Sequence, residues 1–284
     1  MEVAFQAGTF ASRSFQEWIS VAERLGLRAM ELWIDRNHLW PASTGKERRR
    51  QALEVLQAHG IKVTSLCPIP FEEKGWTEFR FEYNLAHPEE SRRAEAVAWY
   101  KSVLELASDL EARNIIALPG KIEEADLMKS RFSYRQHWSQ MVRSFKECAK
   151  KAEDLGVYMG VENAVVCNYV DLPEELGRVV DEVGSDYVKV YLDVANANVF
   201  QPPEHYIRTL RGKLCNTIHT TDNDGTYPYH LPLGMGTIDY RNVLGTLKET
   251  GWDGYLVPEI FYEQDPEGGL RRTKEQLEQM VREL

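Results

Sequence analysis

No run of about 18 consecutive apolar residues occurs in the 284-residue chain, so no transmembrane helix is expected. The opening MEVAFQAGTF has neither the basic region nor the apolar stretch of a secretory signal, which points to a cytoplasmic protein. Cysteine is scarce. The four present (Cys67, Cys148, Cys167, Cys215) are scattered without a CxxC pair, which disfavours a disulfide framework and predicts reduced, mostly buried thiols. Positive charge is in the minority: 34 Lys and Arg against 44 Asp and Glu leave a net charge of −10. Such a chain repels polyanions on average, so neither nucleic acid nor a membrane surface is an expected partner. No GxGxxG follows the first strand-like run and no P-loop is present, which removes support for a nucleotide-binding fold. No low-complexity linker or charge block divides the chain, and residues 1–284 read as a single domain.

What is present is enough for a sizeable core, at 43% hydrophobic and 27% charged residues. Strand-like and helix-like segments alternate. Short, apolar, often β-branched runs at Glu2–Gln6, Ala29–Trp33, Lys62–Leu66, Ile115–Leu118, Tyr158–Glu162, Val188–Asp193, Leu214–His219 and Tyr255–Ile260 suit strands buried on both faces. Amphipathic helices are predicted over Phe15–Leu25, Glu47–Ala58, Ser91–Ala112, Gln136–Leu155, Pro173–Val183 and Arg241–Thr250. Glycines suited to ending a helix stand at Gly26, Gly60, Gly156, Gly184 and Gly251. Strand-then-helix units in this number favour an α/β fold of the (β/α)8 TIM barrel type over an open doubly wound sheet. The longer irregular stretches at Ile34–Gly45, Cys67–His87, Gly120–Ser133 and Thr220–Thr237 all follow strands, which in a barrel puts them on the face that builds the substrate pocket.

Glu162, Asp193, His219 and Glu259 stand at or near the ends of four consecutive strand candidates, the fifth to the eighth. In a parallel barrel all four side chains emerge at one face. Three carboxylates and an imidazole form a hard, oxygen-rich donor set suited to Mn²⁺, Mg²⁺ or Co²⁺, with Zn²⁺ as a further option, and poorly suited to a closed structural zinc site. Any one of them alone could cap a helix, pair with an arginine or sit hydrogen-bonded in the core; the set of four is what carries the reading.

The same segments resemble a family. The second-strand LGLRAMELW, the fifth-strand VEN, the sixth-strand LDVANA, the seventh-strand IHTTDNDG, the segment HLPLGMGTIDY and the eighth-strand PEI are similar to those of the xylose-isomerase-like TIM barrels. Within these the chain resembles the sugar phosphate isomerase/epimerase superfamily, which includes ketose 3-epimerases, inosose isomerases and dehydratases, hydroxypyruvate isomerase and endonuclease IV. The resemblance covers nearly the whole chain. It implies that Glu162, Asp193, His219 and Glu259 bind one divalent cation, Mn²⁺ foremost, and that Glu162 and Glu259 are also the catalytic acid/base pair.

The match departs in places. Asn196 stands where ketose 3-epimerases usually have a histidine, Gly225 where they usually have an arginine, and Pro228 where endonuclease IV has a zinc-binding aspartate. Asn196 can still donate and accept hydrogen bonds. Glu31, Lys121, Asn196 and His230 are the candidate substrate-binding residues. Glu31 could instead orient a neighbour, and Lys121 and His230 could be solvated loop residues. Asn163 and Asn168 are candidates for orienting the ligands, and Asp222 and Asn223 for orienting His219 or binding substrate. Trp33, Trp40, Phe71, Trp76 and Tyr227 enrich the expected pocket loops, as walls for a sugar or flat aglycone or as ordinary loop packing, whereas Trp18, Trp99 and Trp138 fall at helix positions and read as packing.

The functional expectation is a metal-dependent isomerase or epimerase of a sugar, keto-sugar or cyclitol, working through an enediolate. The alternative is a lyase on the same scaffold, of the inosose dehydratase type or resembling the large subunit of a C-glycoside deglycosidase. A non-catalytic sugar- or metal-binding protein is the third class. The expected partner is a small carbohydrate. The expected assembly is a homo-oligomer, or a hetero-oligomer with a small β-rich subunit in the deglycosidase case.

Overall fold

The computed structural model describes residues 1–73, 79–123, 128 and 133–284. Eight parallel strand positions close into a barrel. The N-terminal strand serves two neighbours in turn: Glu2–Val3 pairs with Tyr255–Val257, and Phe5–Gln6 pairs with Ala29–Ile34. From there the order runs through Lys62–Pro68, Asn114–Ala117, Tyr158–Glu162 and Val188–Tyr191, each parallel to the last. Two isolated parallel bridges, Val190 with Leu214 and Asp193 with His219, join Val188–Tyr191 to Thr217–His219, which pairs with Tyr255–Val257. The TIM barrel expected from the alternating pattern is the fold.

Apolar side chains fill the space between strands and helices. Phe5, Met30, Leu32, Ile115, Val161, Val190, Ile218 and Leu256 are all essentially inaccessible to solvent. The helices are set by local chemistry. Phe15–Leu25 and Tyr134–Leu155 each begin at a capping box, Ser14 with Glu17 and Ser133 with Gln136. They end at Gly26 and Gly156, whose φ angles of 65° and 68° only glycine adopts without strain.

The strand ends differ from the expectation where chemistry forbids a ladder. The eighth strand stops at Val257, because Pro258 has no N–H to donate. Asp193 lies beyond its strand and caps the helix Val194–Phe200, its Oδ1 accepting from the Asn196 N–H at 2.9 Å. That helix, Pro203–Thr209 and Pro266–Glu283 are three helices the apolar periodicity did not announce. A short antiparallel hairpin, Phe71–Glu73 with Phe79–Phe81, rises from the third strand's loop. Trp76 lies outside the described residues.

Candidate metal centre

At the C-terminal end of the barrel, Glu162, Asp193, His219 and Glu259 are brought together. One ligand-type atom from each lies within 4.8 Å of every other, and all four residues are buried. The His219 Nδ1 atom is 3.2 Å from Glu162 Oε1, 3.6 Å from Asp193 Oδ2 and 3.1 Å from Glu259 Oε2. Neither His219 Nδ1 nor Asp193 Oδ2 has a hydrogen-bond partner, although both are shut off from solvent. Buried polar atoms left unpaired are costly, and these face the common point. A hard divalent cation bound there would satisfy them, so the residues fit such an ion.

The outer atoms of three of the four are tied down. His219 Nε2 meets Glu31 Oε1 at 2.7 Å. This bond places the ring proton on Nε2 and leaves the Nδ1 lone pair for an ion. Glu31 is itself fixed, its Oε2 accepting from the Ser65 hydroxyl and the Tyr191 hydroxyl, each at 2.5 Å. Asp193 Oδ1 is taken by the Asn196 backbone. Glu259 Oε1 accepts from the Gln6 amide. For Glu162 the described contacts give the outer oxygen no such partner.

The two glutamates differ electrostatically. Burial pushes the Glu162 carboxyl up to about 7, against the pull of His219. Burial works the same way on Glu259, but His219 and His230 together overcome it and hold that carboxyl well below the usual range. His230 is the second imidazole: its Nδ1 lies 3.1 Å from Glu259 Oε2 and 3.2 Å from the Glu259 carbonyl oxygen. Burial opposes its charged form, yet the Glu259 charge raises it to about 9.

The remaining sequence candidates fall into place less uniformly. Glu31, read as a substrate contact, has no accessible surface and both of its oxygens engaged, so its contacts fit the orienting role instead. Lys121 is not brought to the cluster: its ammonium donates to the Phe79 carbonyl at 2.9 Å and lies 3.9 Å from Glu123. Asn163 is bonded in both directions to the Asp193 backbone, and Asn168 likewise to Ile122. Asp222 orients neither His219 nor a ligand. Its carboxylate gathers the N–H groups of Gly234, Gly236 and Ile238 at 2.9–3.1 Å, which explains the HLPLGMGTIDY segment. A Cβ on Gly236 would lie 2.3 Å from the Asn223 carbonyl oxygen, so only glycine fits there. Asn223 bonds Ala195, Asn198 and Gly225. Trp33 faces Phe261 at 6.4 Å, and Phe261 is 48% exposed beside His230. Tyr227 stands exposed against Tyr229, whereas Trp40 is buried against Trp99, and Phe71 packs on Phe79. Trp18, Trp99 and Trp138 are buried packing residues. Gln6, Ser65 and Tyr191 were missed; the one signal was a polar residue inside an otherwise apolar strand.

A profile described as Xylose isomerase-like TIM barrel matches residues 19–280. The chain belongs to this family. Among curated relatives it is 22% identical over 273 residues to the fructoselysine 3-epimerase of Escherichia coli O157:H7, covering 92% of each. It is 27% identical over 209 residues to an uncharacterised protein of Methanocaldococcus jannaschii, covering 69% of this chain and 67% of that one. Among solved structures, a D-tagatose 3-epimerase-like protein superposes with a TM-score of 0.80 at 21% identity, covering 100% of this chain and 99% of that one.

Proposed function

We propose that this protein is a divalent-cation-dependent epimerase or isomerase of a sugar, keto-sugar or cyclitol, in which Glu162 and Glu259 transfer the proton. The observation that carries this reading is the convergence of two buried glutamates with Asp193 and His219 on one point. The family membership and the named epimerase relatives support it.

Glu162, Asp193, His219 and Glu259 would hold the ion, and their hard donors favour Mn²⁺, with Mg²⁺, Co²⁺ or Zn²⁺ as lesser candidates. When bound, such an ion would supply an electrophile for negative charge developing on the substrate's oxygens. One glutamate takes the proton from the carbon next to the carbonyl, giving an enediolate. The other returns a proton from the opposite face, which inverts that carbon. Each well-placed proton transfer contributes roughly 10²–10⁴-fold. Asn196 and His230 stand beside the cluster as the groups for substrate oxygens. Residues 1–284 work as one barrel domain. Four free, buried cysteines support a reducing, cytoplasmic setting.

The test uses Mn²⁺-loaded enzyme with a panel of keto-sugars in D₂O. Glu162→Gln and Glu259→Gln should each cut turnover and solvent-deuterium incorporation by at least about 100-fold, with the fold intact by circular dichroism. Near-normal activity in either variant sinks the two-carboxylate mechanism.

A lyase is the second reading, favoured by Gly225 and the aromatic mouth. Gly225 has a φ of 80° and packs toward Asn198, so no guanidinium grips substrate from that position. Trp33 and the exposed Phe261, meeting edge to face, put apolar ring surface at the mouth for an aromatic leaving group. Release of water or of a phenol from a 3-keto glycoside identifies that chemistry, whereas exchange without release identifies the epimerase.

A further inference from the structure

We infer that Gln6 is a positioning residue that fixes which oxygen of Glu259 faces the ion. Gln6 ends the first barrel strand and has no accessible surface. Burying a carboxamide in a barrel interior is costly unless its groups are bonded. Here only one side is. The amide nitrogen donates to Glu259 Oε1 and lies 3.6 Å from the Cys67 sulfur, while the amide oxygen has no partner. The bond it does make, to Glu259, is what offsets that cost.

The amide's orientation is set from two sides. On one side, Glu259 Oε1 is an acceptor, so the NH₂ group must face it. On the other, the amide oxygen packs against Gly8: a Cβ there would come within 2.3 Å of that oxygen and 2.4 Å of the Trp33 ring. Gln6 is paired in register with Glu31, and Glu31 with Ser65, so the supports of His219 and Glu259 lie on one level of the barrel.

The consequence is a division of the Glu259 carboxylate. Oε1 is capped by Gln6. Oε2 is turned to His219 Nδ1 and His230 Nδ1, both at 3.1 Å. Glu259 therefore presents a single oxygen to the centre, in a fixed rotamer. This inference rests on reading the four residues as a cation site.

The test measures binding of Mn²⁺ alone by calorimetry, together with steady-state kinetics of the Mn²⁺-loaded enzyme. Gln6→Met keeps the volume and removes the donor. It should weaken Mn²⁺ binding by about 10–100-fold, lower kcat and leave the KM for the sugar unchanged at saturating Mn²⁺. Wild-type-like Mn²⁺ affinity and kcat in a folded Gln6→Met variant overturn the proposal while leaving the cation site standing. No Mn²⁺ binding by the wild-type protein overturns both. If Gln6→Met fails to fold, the wild-type protein still decides the matter. With glutamine-selective ¹⁵N labelling, one carboxamide pair should be protected from solvent exchange and shift on titration with Mg²⁺. The absence of any such pair overturns the proposal.

Discussion

Three of the four residues in the candidate centre are held by a neighbour outside the cluster. Glu31 is the clearest case, since its bond to His219 Nε2 fixes both the tautomer and the ring plane. Glu31→Gln keeps the shape but removes the charge and lets an amide N–H face the ring nitrogen. It should weaken Mn²⁺ binding about 10–100-fold, as read by calorimetry; an unchanged affinity would show that His219 orients itself. The cluster of Glu162, Asp193, His219 and Glu259 was legible in the sequence because acidic and imidazole side chains recur at consecutive strand ends. Their supports were not. A single Gln, Ser or Tyr in a strand is an ordinary residue until the fold puts Gln6 against Glu259 and Ser65 and Tyr191 against Glu31. Glu31 was visible as a polar residue in an apolar run, but its direction was not, and its contacts favour the orienting role over the substrate role.

Among the elements, the segment after the fifth strand stores an unpaid electrostatic cost. Val170 is held at a φ of 63°, rare for a β-branched residue, and the next residue, Asp171, has a buried Oδ1 without a hydrogen-bond partner. Burial, with Glu175 adding to it, pushes the Asp171 carboxyl from 3.8 up to about 7. The folded state thus keeps a proton that the unfolded chain has already released, so this group lowers stability as pH rises from about 4 to 7, and the loss persists above. Asp171→Asn should be more stable than the parent at pH 8 by about 1–3 kcal/mol, with the gap closing toward pH 4.5. Denaturant melts at the two pH values check this, and an equal gap at both would refute it. Helices with a clear apolar stripe were legible here; Val194–Phe200 and Pro266–Glu283 were not. The first is a single short piece begun by the Asp193 cap, and the second opens with a glycine pair and carries few apolar residues. The HLPLGMGTIDY segment was visible as a pattern, but its cause, one carboxylate collecting three N–H groups, appears only in three dimensions.

For the whole molecule, the barrel was legible because its strands are short, apolar and regularly spaced, and that pattern belongs to few architectures. No period governs the loop tips, so their contacts were not legible in the same way. If the barrel is built around an ion, chelation should abolish turnover, and Mn²⁺ or Co²⁺ should restore it. Full activity in a preparation shown to be metal-free by elemental analysis would refute the cation's role. The split first strand has one more consequence. Glu2–Val3 gain their strand partner, and the Gln6 amide its carboxylate acceptor, only when Tyr255–Val257 and Glu259 arrive, some 250 residues later in the chain. Closing so long a loop is entropically slow. The ring of strands and the four-residue cluster are completed in the same late step.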